Sequence, residues 1–233
     1  MKKFTSKTAS CLAALTVLSS ISFTASATQT PVFQTFGPLA ATFGGSGIPN
    51  GAVAQTTVGA NGVLGLTATQ RFSNPTVTNN GAGRFFAAGG VDQTSAASIS
   101  DQLARWNVGF YIDNGNQTGN TYQLFLDVDP TASEDFKSFG PVPVVGVLQD
   151  SWNLGFNNFE ALLGYAFNPA VNGEYTFLLT ASRGLTQLAR TSIVVQVGNG
   201  LTVPEPGSMA LIDLGLLGPL GSAGLRRNIA KTS

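Results

Sequence analysis

Four carboxylates fall in one short stretch, Asp127, Asp129, Glu134 and Asp135, with Asp113, Asn114 and Asn116 just upstream. Hard cations such as Ca²⁺ take about six to eight oxygen ligands, and carboxylates with Asn carbonyls from adjacent loops supply that donor type. The set Asp113, Asp127, Asp129, Glu134 and Asp135 therefore reads as a structural Ca²⁺ site, although its spacing is not that of an EF-hand loop. The reading the sequence favours over it is a solvated acidic edge that discourages strand pairing. Asp127 and Asp129 are also the residue type of a glycosidase pair, which needs two carboxyls roughly 5–10 Å apart across a cleft. If Val128 faces a core, both project from the opposite face of a strand end, where neither is desolvated.

Aromatic residues carry the other chemistry. Trp106 and Trp152, with Tyr111, Tyr122 and Tyr165, are side chains on which sugars stack. Trp106 opens an apolar alternation and reads as core. Trp152 lies in Ser151-Trp152-Asn153, and its polar neighbours make it the expected ligand contact.

What is missing narrows the chemistry further. The chain has no His, and its one Cys, Cys11, lies near the N-terminus. Cys/His zinc sites, Ser-His-Asp and Cys-His catalysis and disulfide frameworks all need residues that are absent. The expectation is a protein that is not an enzyme and carries no organic cofactor. The formal charge is zero, but residues 28–206 hold six basic and eleven acidic residues, a net −5. An acidic, Arg-poor domain is unsuited to nucleic acid.

The elements that must position these groups read as strands. At 233 residues there is room for one domain with an adequate core, and 43% apolar residues argue against disorder. Trp106, Val108, Phe110 and Ile112 alternate, as do Tyr122, Leu124, Leu126 and Val128, and the Asn/Gly-rich run between them predicts a hairpin. Further strands are expected at 63–69, 84–88, 142–148, 175–181 and 192–197, the fourth bounded by Asn172-Gly173 and the third opening between Pro141 and Pro143. Helical character is confined to 100–105 and 158–163. Gly44-Gly45-Ser46-Gly47 has no Lys at phosphate-loop spacing and reads as a turn. No fixed-period repeat is present. The fold class is all-β: a single antiparallel β-sandwich, jelly-roll or Ig-like, over residues 28–202.

The two ends differ from this domain. Lys2, Lys3 and Lys7, an uncharged apolar run over 11–23 and Ala25-Ser26-Ala27 have the three parts of a secretion signal, placing it at 1–27 and the mature start at Thr28. Residues 203–233 begin with Val203-Pro204-Glu205-Pro206 and continue through a weakly polar stretch, 208–225, to Arg226-Arg227. Eighteen residues at about 1.5 Å each just reach the hydrocarbon thickness as a transmembrane helix. The Arg pair stays on the cytoplasmic side, leaving the domain outside. Asp213 would cost about 2.5–3.5 kcal/mol at a membrane centre, but it lies near the outer end of the stretch, where the cost is lower.

Pro204-Glu205-Pro206, the Leu/Gly-rich stretch and Arg226-Arg227 resemble the PEP-CTERM sorting signal. The resemblance implies that an exosortase of the inner membrane recognises Pro204, Glu205 and Pro206 and that Arg226 and Arg227 act as a stop. Phe167-Asn168-Pro169, Gly173-Glu174-Tyr175, Leu188-Ala189-Arg190 and Ile193-Val194-Val195 are similar to the closing strands of such proteins. The partners implied are the exosortase, the secretion machinery, the membrane before processing, and exopolysaccharide. The implied function is an exported structural or adhesive protein of the cell surface or extracellular matrix, in the cell envelope or released. The alternative is a carbohydrate-binding surface domain or, less readily, a glycan-hydrolysing one.

Overall fold

The computed structural model describes residues 29–39, 50–131 and 133–198. The expected secretion signal at 1–27, the Gly44–Gly47 turn and the sorting segment with Pro204, Glu205, Pro206, Arg226 and Arg227 lie outside the described residues. Among the described residues, no helix is long and apolar enough to cross a membrane.

The described chain is all-β in two sheets. One holds β1 (Thr35–Gly37), β2 (Val53–Val58), β3 (Gly62–Gln70), β6 (Trp106–Asp113) and β9 (Val147–Trp152), side by side in that order. The other has the order β4 (Thr78–Asn79), β5 (Arg84–Ala87), β11 (Thr186–Val197), β10 (Gly173–Arg183), β7 (Asn120–Asp127) and β8 (Phe136–Pro143). Two short helices, α1 (Ala96–Ser100) and α2 (Asn157–Leu163), lie in the connections.

Period-two alternation builds the core. Leu64, Leu66 and Ala68 of β3 and Trp106, Val108, Phe110 and Ile112 of β6 meet Tyr175, Phe177, Leu179 and Ala181 of β10 and Ile193, Val195 and Val197 of β11 in one apolar cluster. Trp106 bridges the sheets, its ring 5.9 Å from that of Tyr175 and 6.0 Å from that of Phe177. Each such large side chain contributes about 1.5–3 kcal/mol on burial. β10 and β11 form a long antiparallel hairpin, with a register shift between Ala181 and Ser182.

The strands expected at 63–69, 84–88, 175–181 and 192–197 overlap β3, β5, β10 and β11, with 192–197 covering only the second half of β11. Other expectations are corrected. Strands β6 and β7 are not a hairpin: β6 pairs with β3 and β9, while β7 pairs with β10 and β8 in the other sheet. The two apolar faces look toward one core from opposite sides, an arrangement with the same alternation as a hairpin. Buried Asn114 organises the crossing. Its Nδ2 donates to the Gln117 carbonyl at 2.5 Å, and its Oδ1 accepts from the Tyr122 hydroxyl at 2.7 Å.

Residues 142–148 are not one strand but the end of β8, a link and the start of β9. Pro141 and Pro143 sit inside β8, which is tolerated because β8 is an edge strand with one side free of ladder bonds. The sheets are not wholly antiparallel, since β5 and β11 pair in parallel, Phe85 opposite Val195. The first helix lies one turn before 100–105, where Ser95 caps it by accepting from the Ser98 N–H at 3.0 Å. The second matches 158–163 within a residue and ends on Gly164 in the left-handed conformation.

Candidate functional site

The five carboxylates of the expected Ca²⁺ site do not converge. Asp113 ends β6 in the five-stranded sheet, and its Oδ1 accepts from the Gly115 N–H at 2.8 Å to close the turn. Asp127 ends β7 in the six-stranded sheet. Seven residues of strand separate it from the loop beside Asp113, about 23 Å by strand rise. Asp127 is 1% exposed. Its Oδ1 accepts from the N–H groups of Asp129 and Asp135, each at 3.0 Å. Asp129 accepts from the Thr131 N–H at 2.9 Å, and both oxygens of Asp135 accept from Lys137 Nζ. Glu134 is exposed. Among the described residues, no three His, Cys, Asp or Glu side chains are grouped to hold a metal ion. Asp113, Asp127 and Asp129 hold backbone N–H groups of turns and strand ends instead, Asp135 pairs with Lys137, and Glu134 faces solvent.

As an acid/base pair, Asp127 and Asp129 are pushed apart electrostatically. Burial raises Asp127 above the ordinary carboxylate range despite its backbone donors, whereas the Thr131 and Ser133 donors lower Asp129. Such a split is what a glycosidase pair needs. Yet the raised member is closed off from solvent and holds three backbone N–H groups, including that of Thr176 at 3.4 Å. It is a loop clasp.

Trp152 is corrected as a ligand contact. It is 8% exposed, with its ring 4.9 Å from Phe110, 5.1 Å from Phe139 and 4.3 Å from Phe159. Ser151, which precedes it, falls on the opposite face of β9 by alternation, and the indole N–H donates to Asp150 at 3.0 Å. Asn153, which follows it, is buried and bonds the main chain of Ala104 and Trp106.

The most organised polar site is one that sequence patterning does not reveal. Asp92 is fully buried. Arg71 Nε donates to its Oδ2 at 3.1 Å, while Asn74 Nδ2 at 2.8 Å and the Thr94 N–H at 2.9 Å donate to its Oδ1. Burial alone would raise its pKa, but donors from Asn74, Thr94 and Ser98 prevail and hold it well below the usual carboxylate range. Arg71 and Asn74 begin the loop that leaves β3 for β4, so Asp92 fixes that loop. The next residue, Phe72, is 64% exposed at φ +50°, a conformation that bulky side chains rarely adopt. The Arg71 guanidinium lies 4.5 Å from its ring centre.

The anchored loop walls an open groove of about 270 Å³ between the end of β3 and the start of the six-stranded sheet. Thr69 and Gln70 of β3, Thr76 and Val77 of the loop, Asn79 of β4 and Phe85 of β5 line it. None of its lining residues is charged. Thr67 and Thr69 alternate with Leu66 and Ala68, but nothing in that alternation marks a groove.

No protein-family model matches the chain, and no curated protein or solved structure matches it.

Proposed function

We propose that this chain is an exported protein whose domain, a single β-sandwich over residues 28–202, plays a structural or adhesive role at the cell surface or in the extracellular matrix. Its export reading rests on the basic, apolar and small-residue parts of 1–27, and its sorting reading on Pro204-Glu205-Pro206, the 208–225 stretch and Arg226-Arg227. One observation carries the structural role: Asp113, Asp127 and Trp152, the residues with most chemical potential, close turns and fill the core.

Surface labelling of whole cells with an antibody to the domain tests the proposal, wild type against a Pro204→Ala/Glu205→Ala/Pro206→Ala variant. Wild-type cells are expected to label at the surface or in the matrix, while the variant accumulates in the inner membrane. A domain found in the cytoplasm of wild-type cells would overturn the reading.

A further inference from the structure

We infer that the groove at the end of β3 is a binding site for one unit of a neutral, hydroxyl-rich ligand, a saccharide. This adds a binding function to the exported structural role and holds however the C-terminus is processed.

The site exists because β2 stops before β3 does. The pairing of β2 with β3 reaches only Ala54 opposite Leu66, whereas β3 runs on to Gln70 beside β6. The Arg71 N–H donates to the Arg105 carbonyl, so the odd-numbered residues of β3 bond toward β6. In an antiparallel ladder hydrogen-bonding direction alternates, which turns the peptide groups of Ala68 and Gln70 toward the side β2 has vacated. A donor and an acceptor from each therefore face the groove.

The side chains add to these groups. Thr69 lines the groove, and its hydroxyl, which is not one of the buried side-chain atoms without a partner, makes no hydrogen bond among the described residues. Thr67, two residues earlier, satisfies its hydroxyl on the Ala52 carbonyl at 2.7 Å. An accessible hydroxyl without a protein partner is free to bond water or ligand. Gln70 and Thr76 likewise make no side-chain hydrogen bond among the described residues. Asn79 uses its Oδ1 on the Gly81 N–H at 3.0 Å and keeps its amide donors. Val77 and Phe85 supply apolar surface between these groups.

Charge selects the ligand class. Arg71, which follows Gln70 in the chain, is committed to Asp92. An anion would meet no counter-charge in the groove, and a cation would meet no carboxylate, so hydroxyls are the matching partner. The volume of about 270 Å³ falls just under the ~300–1,000 Å³ of drug-sized sites. One sugar unit fits that scale.

The test uses the ¹⁵N-labelled full-length chain, purified in a detergent without sugar headgroups. It is titrated by NMR with glucose, galactose, mannose and N-acetylglucosamine, and with glucuronate as the charged control. At least one neutral sugar is expected to shift the amides of Ala68, Gln70, Thr76 and Asn79, with glucuronate at least tenfold weaker. Thr69→Val keeps the shape but removes the hydroxyl, and Gln70→Ala removes the amide. Each is expected to weaken binding about five- to tenfold while leaving the spectrum dispersed. The exposed Thr76→Ala serves if either variant fails to fold. The proposal is overturned if no neutral sugar shifts these amides, if the variants bind unchanged, or if glucuronate binds equally well. It is also overturned if only an uncharged extended peptide binds, which would make the groove a strand-addition edge.

Discussion

Asp92 and Asp127 are both shut away from solvent, and their neighbours push them in opposite directions. Asp92 is held below its unfolded pKa by donors from Asn74, Thr94 and Ser98. Its stabilisation is therefore present above the ordinary carboxylate range and is lost as pH falls below it. Asp92→Ala, which leaves Arg71 without its partner, is expected to cost about 3–5 kcal/mol in urea unfolding at pH 7. Asp127 behaves oppositely, because burial raises its pKa and the folded state favours the protonated form. The stability linked to Asp127 is greatest below the unfolded pKa and is lost as pH rises through the folded one. Asp127→Asn keeps an oxygen for the Asp129 and Asp135 N–H groups, so it is expected to unfold at the same or higher urea concentration than wild type at pH 7. Asp127→Ala strands those donors and should lose about 1–3 kcal/mol. Equal stability of the two variants would contradict the loop-clasp role. Tyr175 extends the pattern to alkaline pH. Burial first, then the nearby Asp127 charge, pushes its hydroxyl up to about 12. The corresponding stability is complete below about 10, the free tyrosine value, and is lost as pH rises toward 12. A melting temperature that falls across that window, in step with tyrosinate absorbance, is the expected signature.

Strands with regular alternation were legible in the sequence, and their partners were not. Leu64 and Leu66, Phe177 and Leu179, and Ile193 and Val195 announce β3, β10 and β11 because each strand buries one face. The sheet to which a strand belongs leaves no trace in period two, which is why β6 and β7 read as a hairpin although they lie in different sheets. The Asp92 site was invisible for a related reason: Arg71 and Asn74 are local to each other, but their acceptor is reached only through the packing of a distant loop. Asn172-Gly173 marks a strand boundary in the sequence, and its glycine has a steric cause. A Cβ on Gly173 would collide with the Pro130 carbonyl, whose oxygen also accepts from the Glu174 N–H at 3.1 Å. Gly173→Ala is expected to destabilise by more than the ~1 kcal/mol typical of a point change, since rigid backbone must move. Gly184→Ala at the β10–β11 turn meets open space and bears only the left-handed strain of φ +58°. Chemical denaturation of the two variants should rank Gly173→Ala as the less stable. Trp152→Ala removes a ring packed against Phe110, Phe139 and Phe159 and is expected to lose about 3–5 kcal/mol. A neutral result would return Trp152 to the surface.

At the scale of the molecule, two sheets share a core in which Trp106, Tyr175 and Phe177 are the central contacts, and the polar residues work mainly on turns. In the proposed structural or adhesive role, the groove beside Gln70 is the one proposed point of ligand contact. The segments at either end carry the delivery instructions in the proposed account. Intact mass spectrometry of the protein recovered from cell surface and culture medium reads both processing events at once, comparing wild type with Pro204→Ala/Glu205→Ala/Pro206→Ala. The wild-type mass is expected to begin at Thr28 and to lack the residues after the Pro-Glu-Pro region, with the variant retained in the membrane at its longer mass. An identical mass for both proteins, each still bearing Arg226 and Arg227, would sink the proposed C-terminal sorting.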